Sequence, residues 1–147
     1  MVWLYLLFAV AAGAMLPIQF GVNAQLAHWL GSSIRAAFVS FLVGAFALLV
    51  IAVFIRKPLP STARLGEVPW WVWIGGFLGA FYVAGSIVTA PKLGAATLTA
   101  AVVAGQSLAS ILVDRFGWVG FKEQPLSPGR LLGMALVAGG VALVRFF

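Results

Sequence analysis

Gln19 and Asn23 stand four residues apart inside a long uncharged run, with Pro17 just before them and Gly21 between them. Residues four apart share one face of a helix. A proline inside a helix removes the backbone bond to the residue four before it, which is Gly13. Amides beside such a break can offer hydrogen bonds to a solute at membrane depth. The same four-residue step returns in Gln106, Ser110 and Asp114. Ser40, and Tyr82 with Ser86, add hydroxyls in two further apolar runs. These side chains hydrogen-bond without supplying a fixed charge. The candidate substrate-binding set is therefore Gln19, Asn23, Ser40, Tyr82, Ser86, Gln106 and Ser110, with Pro17 and Gly21 as a helix break.

Other chemistries are poorly supplied. Cysteine is absent and His28 is the sole histidine. Thiol nucleophile, Ser/His/Asp set and metal cluster are all missing from the residue types, so neither an enzyme nor a metal or other cofactor is expected. The acids are Glu67, Asp114 and Glu123, and none falls in the middle of an apolar run. Proton-coupled pumps usually keep a carboxylate there despite its cost. Asp114 precedes Arg115, and the two are read as an interfacial ion pair. The formal charge of +6 is spread over nine basic residues, singly or in pairs between apolar stretches. That pattern points to membrane orientation and headgroup contact, with no nucleic-acid partner.

The elements that must position these residues are spanning helices. Of the 147 residues, 63% are hydrophobic and 8% charged, against about 25% charged in soluble domains. So small a polar fraction cannot cover a water-soluble surface. Charge-free stretches fall at 2–34, 36–55, 68–91, 93–113 and 131–144. The first would make a helix about 50 Å long, well beyond a hydrocarbon core of about 30 Å. Gly31, Ser32 and Ser33 supply a turn, with Ser33 the expected N-cap of the next helix. The expected spans are 2–27, 33–55, 70–90, 94–113 and 128–146, forming one transmembrane domain over 1–147.

The connectors agree with five spans. Pro58, Pro60 and Pro69 punctuate the second. Pro91, Lys92 and Leu93 make a tight turn between neighbouring antiparallel helices. Ser127 before Pro128 marks a helix start. Trp70, Trp71 and Trp73 suit an interfacial belt. Ala12, Gly13 and Ala14 have the spacing of a cleavage site, but Met1 and Val2 offer no basic region, so the first run is expected to stay as a span. Arg56, Lys57, Arg64, Arg115, Lys122 and Arg130 share one side with the N-terminus, against Arg35, Lys92 and Arg145 opposite. This modest bias favours a cytoplasmic N-terminus. Small residues recur every fourth position, as in Gly75 and Gly79, in Ala96, Ala100 and Ala104, and in Ala135 and Gly139. They are read as packing seams.

The sequence resembles the YdcZ-like family of the drug/metabolite transporter superfamily. The resemblance covers nearly the whole chain. It rests on Pro17-x-Gln19-x-Gly21-x-Asn23-Ala24-x-Leu26, Val39-Ser40-Phe41-x-x-Gly44, Ala90-Pro91-x-Leu93-Gly94-Ala95-Ala96, Gly105-Gln106, Asp114-x-Phe116-Gly117 and Arg130-x-x-Gly133. It implies a small, multi-pass inner-membrane transporter. It also implies relatives that occur as single dual-topology chains, oppositely oriented pairs or fused ten-helix proteins. The short multidrug members of the superfamily use a glutamate in the first span. No acid stands there in this sequence, so their proton–drug antiport is not carried over.

An all-α integral membrane protein of five transmembrane helices is thus expected, forming half of an inverted-repeat transporter. Five helices cannot hold two equal inverted halves, and such halves are how many transporters open alternately to each side. An antiparallel homodimer, or an oppositely oriented sister subunit, would complete the pair in the lipid bilayer. Inversion also brings a partner's Gln106 and Ser110 to the depth of Gln19 and Asn23, giving one shared site for a small polar solute. The alternative is a non-transporting membrane assembly subunit.

Overall fold

The computed structural model describes residues 2–146. Its helices are α1 (Val2–Leu30), α2 (Ser33–Ile55), α3 (Thr62–Gly66), α4 (Ile74–Leu93), α5 (Ala95–Phe116) and α6 (Pro128–Phe146). All but the short α3 are long and apolar enough to cross a membrane, α4 together with the 3-10 turn Trp70–Trp73 that enters it. The protein is an all-α membrane protein with five spans. Large apolar side chains such as Trp3, Phe8, Phe46, Phe54 and Phe81 lie exposed on these helices. That exterior is what hydrocarbon requires, since each helix satisfies its own backbone polar groups.

Several boundaries differ from the sequence expectation. α1 runs unbroken through Pro17 and on to Leu30, so the expected break is not an unwound segment. Proline deletes a single hydrogen bond, and the flanking turns hold the helical path. Gly31, with φ +64°, then reverses the chain. Ser32, not Ser33, caps α2: its Oγ accepts from Arg35 N at 3.4 Å. One residue of extended backbone is enough to separate the two helices. The proline turn expected at 91–93 is also displaced. α4 continues through Pro91 to Leu93, and Gly94 alone makes the junction to α5 with φ 76° and ψ 162°. That backbone region is open essentially only to glycine. Near its end α4 also carries Thr89, whose Oγ1 donates to Gly85 O at 2.8 Å.

The polar connectors are capped as well. Ser61 Oγ accepts from Arg64 N at the start of α3. Ser127 Oγ accepts from Arg130 N at the start of α6, with Pro128 at the first helical position as expected. α5 ends at Gly117, φ 61°, where an added Cβ would lie 2.8 Å from Glu123 Cγ.

The chain gathers into two compact units. One is Ile18–Pro91; the other is the chain up to Pro17 together with the chain from Lys92 onward. Both divisions fall at a proline.

Candidate functional site

In the Ile18–Pro91 unit, the second half of α1 meets α2 and α4. Ala36 and Ala37 of α2 and Val83 and Ile87 of α4 form the buried core, with Leu26, Ala27, Leu30, Tyr82 and Ala84 packed around it. Two alanines in succession let the start of α2 approach closely, where larger side chains would hold the backbones apart. Phe20 and Tyr82 meet edge to face, ring centroids 6.2 Å apart, joining α1 to α4. Farther along, Gly79 of α4 lies beside the Phe41 ring of α2, where an added Cβ would make an ordinary contact at 3.5 Å from Phe41 Cζ.

Polar groups interrupt this packing in two places. A cleft of about 290 Å³ is lined by Gln19, Ser40, Phe41, Gly44, Ala45, Leu48 and Val83. Gln19 and Ser40 are its polar members, on α1 and α2, and the rest of the wall is apolar. The second place is the buried seam. Asn23 is 4% exposed, and its Nδ2 has no hydrogen-bond acceptor among the described residues. The Tyr82 hydroxyl is likewise buried without a partner. Ser86 is satisfied, donating to Val83 O at 2.8 Å. A buried polar group left unpaired costs about 1–3 kcal/mol, so Asn23 and Tyr82 hold hydrogen-bonding capacity in reserve.

Of the residues singled out by sequence, Gln19 and Ser40 thus share a cleft. Asn23, Tyr82 and Ser86 lie in the same unit but do not line it. Gly21 is exposed, and an added Cβ there would meet nothing within 4 Å.

Gln106 and Ser110 belong to the other unit, and they part company there. Ser110 lines a groove of about 280 Å³ between α5 and α6, with Ser107, Ile111, Asp114, Arg130, Gly133, Met134 and Val137. Gln106 is exposed and outside that lining. The groove face is 107, 110, 111 and 114, rather than the 106, 110 and 114 stripe expected from sequence.

The expected Asp114–Arg115 pair is also corrected. Asp114 Oδ2 accepts from Arg130 Nη1 at 3.3 Å, across the α5–α6 hairpin. Adjacent helical residues do not face each other, and Arg115 is exposed. Arg130 Nη2 also donates to Gln124 Oε1. Gln124 N in turn donates to Asp114 O at 2.8 Å. In the sequence Arg130 stands out only as one of the basic residues on the N-terminal side and as part of the Arg130-x-x-Gly133 motif, and Ser107 does not stand out at all. The signal for Arg130 was available: an acid in the last turn of one helix and a base in the first turn of the next meet when the hairpin closes. Ser107 offered no such signal until the groove face was known.

Comparison with known proteins gives a consistent result. Residues 4–143 match the family described as "Putative inner membrane exporter, YdcZ". The inner membrane protein YdcZ of Escherichia coli (strain K12) is 31% identical over 142 residues, covering 96% of this chain and 94% of that protein. No solved structure matches significantly.

Proposed function

Since this chain belongs to the YdcZ family and is a multi-pass protein of the inner membrane, we propose that it exports a small polar solute by alternating access, as an antiparallel dimer. The family points to a transport protein rather than an enzyme. The observation that carries the reading is the convergence of Gln19 and Ser40 on an apolar-walled cleft between spanning helices. An amide and a hydroxyl of this kind hydrogen-bond a neutral or zwitterionic solute. They give a strong cation no counter-charge, and the cleft contains no carboxylate.

The unpaired Asn23 Nδ2 and Tyr82 hydroxyl extend the same polar capacity along α1 and α4. Alternating access needs the cleft to open toward one side and then the other, and a single five-helix chain lacks the inverted half that supplies the second state. An inverted partner provides it. Its exposed Gln106 would then lie at the depth of Gln19 of the first chain and complete the site. Pro17 and Pro91 stand at the divisions between the compact units. There a missing backbone bond lowers the cost of bending, which suits the joints of such a motion.

The test is transport into proteoliposomes of a labelled panel: neutral polyols and amides, zwitterionic amino acids and quaternary ammonium ions. The account predicts that accepted compounds come from the neutral and zwitterionic classes. Acceptance of quaternary ammonium ions alone would contradict it. Transport of nothing in any class would favour the assembly-subunit alternative.

A further inference from the structure

We propose that the α5–α6 groove is a second binding site, for a zwitterion that carries an oxyanion and an N–H-bearing ammonium. The groove is charged at its mouth, with two serines among apolar residues within. Asp114 sits in the last turn of α5 and Arg130 in the first turn of α6, so the pair lies at a membrane face. From Asp114 the lining descends through Ile111 and Ser110 to Ser107, two turns or about 10 Å along the helix. Gly133, Met134 and Val137 form the facing wall at matching steps.

The charges at the mouth select the ligand. Asp114 and Arg130 are only partly buried, with side chains 27% and 33% exposed. They share one hydrogen bond, through Oδ2 and Nη1. Arginine has five N–H donors. Two go to Asp114 and Gln124, leaving donors for an oxyanion. Asp114 Oδ1 remains an acceptor. The serines reinforce that side. Ser107 Oγ donates to Val103 O at 2.7 Å, and Ser110 Oγ donates to Ser107 O at 2.9 Å. Their protons are committed, so their oxygens face a ligand as acceptors. A simple anion meets Asp114, and a simple cation meets Arg130. A zwitterion satisfies both, and its ammonium needs N–H groups to use the acceptors. Phosphoethanolamine chemistry fits these demands, either as a phospholipid headgroup or as a free solute.

The experiment is native mass spectrometry of the purified full chain in detergent. It is titrated with phosphatidylethanolamine, phosphatidylglycerol, phosphatidylcholine and free phosphoethanolamine. Phosphatidylethanolamine is expected to bind at least tenfold more tightly than phosphatidylglycerol, which lacks a cation, and phosphatidylcholine, whose cation lacks N–H. Displacement by free phosphoethanolamine would identify a soluble ligand for the same site; retention of the lipid against it would identify the headgroup. Gly133→Leu fills the groove while leaving both members of the ion pair in place, and an added Cβ there meets nothing within 4 Å, so folding is expected to survive. Ser110→Leu fills it from the facing helix as a second variant. Each is expected to reduce phosphatidylethanolamine binding at least tenfold. Equal binding of phosphatidylglycerol and phosphatidylethanolamine, unchanged binding in the filled variants, or binding of neither zwitterion would overturn the proposal.

Discussion

Arg130 Nη1 lies 3.3 Å from Asp114 Oδ2, and the two residues are sixteen apart in sequence. The pair closes the α5–α6 hairpin at its loop end, with Gln124 bonded to both partners. Because both side chains keep about a third of their surface exposed, screening limits what the pair contributes.

Arg130→Ala should therefore cost only about 0.2–1 kcal/mol, the range of exposed ion pairs. Thermal unfolding in detergent measures it. The charge-swapped double variant Asp114→Arg with Arg130→Asp should recover part of the loss. A cost above about 3 kcal/mol would instead indicate a fully desolvated pair.

Two glycines should respond in opposite ways. Gly94→Ala forces a side chain into φ 76°, ψ 162°, and should destabilise by about 1–3 kcal/mol. Gly21→Ala lies mid-helix with open space around the new Cβ. It should be neutral or stabilising by up to about 1 kcal/mol. Unfolding midpoints of the two variants, compared with the parent, check both signs. A stability loss at Gly21 would mean that another surface presses against it.

Pro17→Ala restores the missing bond to Gly13 within an already continuous α1. Stability should hold or rise, while transport should fall several-fold if the proline serves as a joint. Parent and variant are compared in proteoliposomes at matched protein content. Equal transport would remove Pro17 from the mechanism.

How much of this was legible in the sequence follows from what each signal depends on. The five spans could be read because charge is excluded from hydrocarbon, and the charge-free stretches mark them directly. Helix ends were less legible. Ser32 and Ser33 are chemically alike, and only the extended φ −163° at Ser32 selects the cap. Pro91 looked like a turn, yet α4 carries it two residues before its last residue, Leu93, and Gly94 makes the junction. Asp114 was visible as a charged residue, but its partner was not, because pairing across a hairpin depends on how two helices meet. Gln19 and Ser40 were visible as polar residues in apolar runs. Their shared cleft depends on how α1, α2 and α4 pack around Ala36, Ala37, Val83 and Ile87, which no local pattern encodes.

An antiparallel dimer requires both orientations of one chain. Single cysteines introduced beside each terminus, in a chain that otherwise has none, can be labelled from outside in intact cells. About half of each terminus should be accessible. Labelling of one terminus only would rule out dual topology and leave an oppositely oriented sister subunit as the source of the inverted half.

The proposed route of the solute is the cleft lined by Gln19 and Ser40. Its most direct test is the transport rate of Gln19→Leu against the parent, for a neutral solute accepted by the parent, with unfolding midpoints measured on the same preparations. Leucine keeps the volume of the side chain and removes its hydrogen bonds. At least a tenfold loss of transport is expected, equivalent to about 1.4 kcal/mol or more, with an unchanged midpoint. Equal transport by Gln19→Leu and the parent would contradict it.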